Sequence, residues 1–212
     1  MNKRLIAALA LILAVGAGAF GQLAVGVSGA LYTDTELTAS EISDRFQKGD
    51  GIFYGPFIEL GLGTLSLGFS ANFSFYNEDW SVFGLSNEVK MMDVDATLYA
   101  QGHLFGYKAI LDPFVEVGFG AMAKDYANDE DDPDTENPLL KTGYFELGGG
   151  LGLNLGALGI FGKLIYMFPS DDPATAEVKY YDEFGVEHTF TYDLAQYPLR
   201  KMKFFLGGKI IL

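Results

Sequence analysis

The sequence predicts an all-β fold, a closed antiparallel up-and-down barrel of eight strands, with ten strands as the alternative. Three observations predict this fold: apolar residues alternate with polar or small ones along eight segments, long and short connections alternate between those segments, and the charges within the segments fall on one face. The 212 residues are enough for one domain, and the absence of cysteine excludes a disulfide framework and a thiolate metal site.

Residues 1–21 are typical of a secretory signal peptide. Lys3 and Arg4 precede an apolar run from Leu5 to Val15, and small residues follow that run. The run is too short for a membrane-spanning helix, which needs roughly 18 or more apolar residues. We therefore predict export with cleavage near residues 19–21, which leaves residues 22–212 as a single barrel domain.

The predicted strands cover residues 22–32, 52–62, 65–76, 89–105, 114–124, 142–155, 160–168 and 200–212. The third, LSLGFSANFSFY, alternates strictly between apolar and polar or small residues along its length. Each of the other segments has a similar uncharged row. In chain order, the eight rows begin with Leu23, Val25 and Val27; Tyr54, Pro56 and Ile58; Leu65, Leu67 and Phe69; Val94, Ala96 and Leu98; Val115, Val117 and Phe119; Phe145, Leu147 and Gly149; Ile160, Gly162 and Leu164; and Met202, Phe204 and Leu206.

The charges of the strands lie on the opposite rows, together with many glycines. A soluble barrel would place apolar residues inside and charged residues outside, which is the reverse of what these rows require. A lipid-facing charge near the middle of a bilayer costs roughly 2–4 kcal/mol, and a sheet in hydrocarbon must close so that no edge is unpaired. We therefore predict a transmembrane barrel whose uncharged rows face lipid and whose charged rows line the lumen.

The connections support the same interpretation. Long connections at residues 33–51, 77–88, 125–141 and 169–199 alternate with short ones at 63–64, 106–113 and 156–159. Membrane barrels have short turns at one end and long loops at the other. Aromatic residues near strand ends predict girdles at both membrane surfaces: Tyr32, Tyr54, Phe75, Tyr144, Tyr166 and Phe168 at one, and Phe105, Tyr107 and Phe114 at the other.

With its signal peptide, loop asymmetry and last strand KMKFFLGGKIIL, the chain resembles the small bacterial outer-membrane β-barrels of the OmpX, OmpA-transmembrane and OmpW kind. The resemblance covers almost all of residues 22–212. It implies residence in the cell outer membrane of a Gram-negative-type bacterium, contact with outer-membrane lipid and lipopolysaccharide, and insertion by the barrel-assembly machinery. The formal charge of −14 argues against nucleic acid as a partner.

An eight-stranded barrel has an interior that side chains largely fill. Buried charges persist when they are paired and hydrogen-bonded, so we predict two balanced layers of ion pairs that plug the lumen. The alternative is a wet lumen in which the charges are hydrated. The predicted network consists of Glu59, Glu116, Lys163 and Lys209 in one layer, and Asp93, Asp95, Glu146, Lys124, Lys201 and Lys203 in the other.

The sequence offers little for catalysis or cofactors, and we predict neither an enzyme nor a bound cofactor or metal. His103 is expected to belong to the lumen network, and His188 to be exposed in the last connection. The acidic segment DYANDEDDPDTEN lacks EF-hand spacing. A solvated loop is the simpler interpretation of this segment. The alternative is a loop that binds a divalent cation weakly through Asp129, Glu130, Asp131, Asp132 and Asp134.

The segment EVKYYDEFGVEHTFTY in the last connection also alternates, around a DEFG turn. We interpret it as a hairpin above the membrane, and two further spanning strands would give the ten-stranded alternative. The expected role is structural or interactive, in envelope integrity or adhesion. The alternatives are a narrow pore or transport of small apolar molecules, and a soluble secreted β-protein.

Overall fold

The structure is a computed structural model that describes residues 21–33, 51–82, 85–126, 140–170, 175–181, 187–193 and 202–212. Four parts of the chain that carry predictions lie outside the described residues: the predicted signal peptide up to residue 20, residues 34–50 of the first long connection, the five acidic residues of the predicted cation loop, and Lys201. Within the described ranges, no helix is long and apolar enough to cross a membrane.

Ten strands are present among the described residues. They are β1 (Gln22–Thr33), β2 (Ile52–Leu62), β3 (Leu65–Val82), β4 (Leu85–His103), β5 (Leu111–Tyr126), β6 (Leu140–Leu155), β7 (Leu158–Pro169), β8 (Thr175–Tyr181), β9 (Glu187–Asp193) and β10 (Met202–Ile211).

Eight of these strands form a closed antiparallel barrel in the order β1-β10-β7-β6-β5-β4-β3-β2. The barrel closes where β1 pairs with β10, from Ala24 opposite Ile211 to Thr33 opposite Met202. Strands β8 and β9 pair only with each other, in a separate two-stranded sheet. The predicted eight-stranded barrel is therefore confirmed, and the ten-stranded alternative is wrong.

Tight turns lie at one end of the barrel, which we call the turn end, and the long connections lie at the other, the loop end. Gly63 between β2 and β3 and Gly156 between β6 and β7 both have positive φ, at 75° and 69°. Such backbone conformations favour glycine because it has no Cβ. The connection between β4 and β5, residues 104–110, also lies at the turn end and contains Gly106 at φ 95°.

The hairpin of β3 and β4 is longer than the sequence predicts. Residues 77–88, expected to be a connection, continue the two strands up to Val82 opposite Leu85. Among the described residues, β2 stops pairing with β3 at Phe73. The expectation was wrong because the polar residues of this stretch resemble a loop in composition. The backbone hydrogen bonds between β3 and β4 do not depend on side-chain polarity, so the two strands stay paired.

The outer wall of the barrel is apolar. Large hydrophobic side chains are exposed on all eight barrel strands, including Val27, Tyr54, Phe69, Leu98, Phe119, Leu147, Leu164 and Leu206. Their neighbours in sequence point into the barrel and are buried, as Thr97 and Tyr99 are on either side of Leu98. This arrangement, apolar outside and polar inside, is the reverse of that in a water-soluble barrel.

The predicted aromatic girdles are only partly correct. Tyr54, Phe75, Tyr166, Phe168 and Phe105 are exposed on the outer wall or at its edge. In contrast, Tyr32, Tyr144, Tyr107 and Phe114 are buried inside the barrel. These four residues lie on the inward rows, or on a loop that turns inward, so nearness to a strand end was a misleading guide to where their rings point.

The interior combines an aromatic core with polar groups. The buried apolar cluster includes Phe53, Phe57, Phe161 and Phe205 from three strands. Tyr32 stacks on Phe53 with ring centroids 3.9 Å apart, and Phe57 meets Phe161 edge to face at 5.3 Å. These rings fill the space between the charged side chains described next.

Candidate functional site: the barrel lumen

The inward rows of the barrel strands bring most of the predicted charged residues together in the lumen. Lys163, Lys203 and Lys209 each contact at least one carboxylate, and all three lysines are buried. The pairs link strands that are not neighbours in the barrel: Lys203 of β10 reaches Asp95 on the opposite strand β4, whereas the other pairs span one intervening strand. They form three groups, named below after their lysines.

The Lys203 group joins β10 to β4 and β6. The Lys203 ammonium lies 2.8 Å from Asp95 and 3.0 Å from Glu146. The hydroxyls of Tyr32 and Tyr144 both donate to the Asp95 carboxylate. The Tyr144 oxygen also accepts a bond from Lys203, and it lies 2.7 Å from the Thr97 hydroxyl. Two carboxylates thus share one ammonium in a fully buried site.

The Lys163 group joins β7 to β5 and β4. The Lys163 ammonium donates to both oxygens of Glu116, at 2.7 and 2.9 Å. The Gln101 amide donates to the same carboxylate at 2.6 Å. The ammonium also lies over the rings of Tyr99 and Phe205, 4.5 Å from each centroid. These cation–π contacts partly replace the water that a buried ammonium loses.

The Lys209 group lies near the turn end. Lys209 donates to Glu59 at 3.1 Å, and the hydroxyls of Tyr99 and Tyr107 donate to the two oxygens of the same carboxylate at 3.0 and 2.9 Å. Burial, and next the Glu59 charge, raise the pKa of the Tyr107 phenol well above its usual range. Tyr107 therefore stays protonated and remains a donor to Glu59 at physiological pH.

The two remaining described residues of the predicted network lie nearer the loop end. Asp93 and Lys124 are cross-strand partners on β4 and β5. Tyr76 donates to Asp93 at 3.2 Å, and the Lys124 ammonium lies 5.3 Å from the centroid of the Tyr76 ring. Lys201, the tenth residue of the predicted network, lies outside the described residues.

A chain of hydrogen bonds at the turn end connects three residues whose association the sequence did not predict. Ser66 Oγ lies 3.0 Å from His103 Nε2, and His103 Nδ1 lies 2.9 and 3.0 Å from the two oxygens of Asp112. Ser66 also donates to Gln101 Oε1 at 3.2 Å. All four residues are buried. The order serine, histidine, aspartate is the one found in hydrolytic triads.

The surroundings of this chain favour a structural role. The Gln101 NH₂ group donates to Glu116 at 2.6 Å, so Gln101 Oε1 faces the Ser66 hydroxyl. Ser66 therefore has two acceptors within reach, Gln101 Oε1 at 3.2 Å and His103 Nε2 at 3.0 Å. A serine nucleophile must be reached by its substrate, whereas Ser66 is fully buried in the barrel.

Residues 104–110, which we call the mouth loop, cross the turn end of the barrel. The loop leaves β4 and returns to β5, yet Tyr107 packs on the opposite wall with Ala24 of β1 and Ile211 of β10. Its backbone N–H donates to Gly63 O at 2.9 Å. The Asn154 side chain of β6 donates to the carbonyls of Tyr107 and Ala109, at 3.2 and 2.9 Å. The loop therefore covers the lumen at this end.

Glycines opposite three lumen tyrosines make room for their rings. A Cβ on Gly68 would overlap Tyr99, one on Gly61 would overlap Tyr107, and one on Gly120 would overlap Tyr144. Gly68 and Gly120 are the direct cross-strand partners of their tyrosines. The abundance of inward glycines therefore follows from the packing of aromatic side chains across the strands.

The substitution Gly120→Ala is expected to destabilise the barrel by about 1–3 kcal/mol, because its methyl group would displace Tyr144 from the Lys203 group. Gly29→Ala is the matched control, since Gly29 faces outward and an added Cβ would meet nothing within 4 Å. Urea unfolding of both variants in lipid vesicles measures the difference. Equal stabilities would contradict the packing described here.

Two parts of the site were missed by sequence reasoning. Asp112 was placed in a connection, whereas it begins the inward row of β5, and Tyr107 was assigned to a girdle. A signal was available for the first: counting back in steps of two from the inward Glu116 places Phe114 and Asp112 on the same inward row of β5. Nothing in the sequence alone indicates that the mouth loop turns inward.

Comparison with known proteins gives similarity in fold only. No protein-family model matches the sequence, and neither does any curated protein. Among solved structures, the N-terminal β-barrel domain of Pseudomonas aeruginosa OprF aligns with 14% identity and a TM-score of 0.46, over 91% of this chain and 98% of that one. A major outer membrane protein from Thermus thermophilus aligns with 11% identity and a TM-score of 0.47, over 90% of this chain and 99% of that one.

Proposed function

We propose that the chain is an integral outer-membrane β-barrel with a closed lumen, and that it serves a structural or surface-interaction role. The observation that carries this proposal is the inverted wall of the barrel, with large apolar side chains exposed on every barrel strand and charges buried inside. In water such a wall would aggregate, whereas in a bilayer it is the favourable surface. The same wall argues against the soluble secreted alternative.

The strand lengths fit a bilayer. The shortest barrel strand, β10, has 10 residues, and β1, β2 and β7 have 12, 11 and 12. A transmembrane strand tilted in a bilayer needs about 9–11 residues.

The predicted signal peptide and the apolar outer wall together favour the outer membrane of a Gram-negative-type bacterium. Outer-membrane lipid and lipopolysaccharide would then surround the barrel, and the barrel-assembly machinery would insert it.

The contacts in the lumen support a plugged barrel over an open pore. The Lys203, Lys163 and Lys209 groups bridge strands that are not neighbours in the barrel sheet, aromatic rings fill the space between them, and the mouth loop covers the turn end. A hydrated channel would leave such charges separated by water. The closed lumen therefore favours roles carried by the loop end, where the β3–β4 hairpin extends beyond the pairing of β2 and the β8–β9 hairpin lies outside the barrel sheet.

One observation favours transport of small apolar molecules as the second candidate. A groove of about 750 Å³ lies on the outer wall between β2 and β7, lined by Val27, Gly29, Tyr54, Pro56, Ile160 and Leu206. It is an apolar depression on the outer wall, of a size that suits a small apolar molecule. Weak divalent-cation binding by the acidic segment 129–134 stays a prediction from the sequence.

The proposal predicts three properties of the expressed protein. It should sediment with the membrane fraction and require detergent for extraction, and it should migrate differently on a gel before and after boiling. In planar bilayers it should give no large steady conductance, because the lumen is filled. A steady pore would overturn the closed lumen, and extraction by salt or carbonate without detergent would overturn the membrane location.

A further inference from the structure

We propose that one acyl chain of a membrane lipid binds in the groove between β2 and β7, which we call the wall groove. This groove lies over the seam where β1 and β10 close the barrel. The inference rests on the membrane location proposed above and goes beyond it, because it assigns one specific lipid site to the outer wall. The shape of the groove, its direction along the wall and its closed floor support it.

Two outward glycines create the wall groove. Gly29 of β1 lies between Tyr54 of β2 and Leu206 of β10. Gly208 of β10 lies next to Ile160 of β7 and is the diagonal neighbour of Gly29 in the sheet. A Cβ added at Gly29 would meet nothing within 4 Å. The two glycines therefore leave a continuous gap between larger apolar side chains.

The wall groove descends from the loop end of the barrel towards the turn end. Tyr54, at one end of the groove, is the third residue of β2 counted from the loop end. Ile160, at the other end, is the third residue of β7 counted from the turn end. The strands of a membrane barrel are tilted by about 35–45°, so a groove that crosses four strands in this way follows the thickness of the bilayer. The acyl chains of a bilayer run in the same direction.

The polarity of the wall groove fits a lipid whose head group lies near the loop end. The outward side chains that line the groove are apolar except for the hydroxyl of Tyr54. The Tyr54 ring is exposed on the wall and lies 6.4 Å from the ring of Phe75. Tyrosines near a membrane surface lie at the level of the lipid head groups. The hydroxyl is therefore placed beside a head group, and the apolar part of the groove beside the chain below it.

The floor of the wall groove is closed, which leaves no path into the lumen. Strand β1 pairs with β10 at every position from residue 24 to residue 33. On the inner side of this seam, the rings of Phe57 and Phe161 occupy the space that Cβ atoms on Gly26 and Gly207 would need. An apolar molecule in the groove is therefore bound at the wall and is not in transit through it.

The concave shape of the wall groove argues against a second copy of this chain as the occupant. In a symmetric dimer the same patch of each protomer meets itself. Two grooves facing each other would enclose a void, and the side chains lining a void lose their dispersion contacts. A flexible acyl chain fills the groove without such a loss.

Photo-crosslinking of the full-length protein in phosphatidylcholine vesicles tests the proposal. The probe is phosphatidylcholine with a diazirine on one acyl chain, added as a small fraction of the lipid. Mass spectrometry should find about tenfold more label at Val27 and Leu206 than at Leu98 and Phe119, which lie on the opposite wall, on β4 and β5. Such a ratio is the preference of a specific site over general lipid contact.

The pattern of label separates this proposal from the membrane location on which it rests. Equal label on the two walls would overturn the lipid site and leave the membrane location intact. Label on neither wall would overturn the membrane location, and the lipid site with it. Less label in the groove than on the opposite wall, together with a dimeric mass in detergent, would identify a second copy as the occupant and overturn the proposal.

Two glycine-to-leucine variants assign the excess label to the wall groove. Gly29→Leu places a side chain in the groove and should reduce the label at Leu206 to the level of the opposite wall. Gly102→Leu is the matched control on β4, where an added Cβ makes an ordinary contact with Val115 at 3.5 Å, and it should leave the excess unchanged. An excess that survives in Gly29→Leu, or is lost equally in Gly102→Leu, would overturn the proposal. The labelling ratio of the unmodified chain decides the question if Gly29→Leu does not fold.

Discussion

Replacing Lys203 by methionine is expected to lower the free energy of unfolding by about 3–5 kcal/mol, the usual cost of removing one partner from a buried ion pair. Lys203 is fully buried and contacts both Asp95 and Glu146. Without its ammonium, two carboxylates share a dry site with no cation between them. Urea unfolding in lipid vesicles, followed by tryptophan fluorescence or gel mobility, measures the loss.

Two controls separate charge from packing in this experiment. Lys90→Met, at an exposed position on β4, should change stability by less than about 0.5 kcal/mol. Adding Asp95→Asn and Glu146→Gln to Lys203→Met should restore part of the lost stability, because the uncompensated charges are then removed. A Lys203→Met protein as stable as the wild type would show that the lumen is wet and that its charges are hydrated.

The substitution Leu98→Lys is expected to cost about 2–4 kcal/mol, because it places a charge on the lipid-facing wall near the middle of the bilayer. Leu98 is 64% exposed and lies between Phe69 and Phe119 on the neighbouring strands. In a water-soluble protein, a lysine at such an exposed position would have little effect. Unfolding of the reconstituted protein gives the value.

Leu104→Lys serves as the depth control for this prediction. Leu104 is as exposed as Leu98 but lies at the turn end, at the start of the mouth loop. A lysine there should cost only about 0–1 kcal/mol, because its ammonium reaches the membrane surface. Equal effects at the two positions would argue against a bilayer around the barrel.

The alternation of residue types was sufficient to predict most of the fold. Because side chains alternate between faces with a period of two, an assignment such as Phe69 outward and Ser70 inward extends along the whole strand. The separate hairpin of β8 and β9 was also predicted correctly, since the outward row of that segment has too few large apolar residues to face lipid. The long β3–β4 hairpin was missed because polar strands outside a membrane have no compositional signature.

The ion pairs in the lumen could not be predicted residue by residue from the sequence. The relative shift of the strands around the closed sheet determines which inward charges meet in the lumen. The pair of Glu59 and Lys209 is one example. The inward course of the mouth loop depends on space above Gly61 and on contacts with Ala24 and Ile211. Periodicity gives the face of a residue and strand direction gives its layer, but neither gives its partner within the layer.

Spin-label accessibility along β3 tests the central claim most directly, and the absence of cysteine from the chain allows labels to be placed one at a time. In reconstituted vesicles, labels replacing Leu67, Phe69 and Phe75 should be relaxed by oxygen, which concentrates in lipid. Labels at Ser66 and Ser70 should be shielded from oxygen. A reversed pattern, with Phe69 and its row shielded and the serines in contact with a water-soluble relaxing agent, would contradict the inverted barrel.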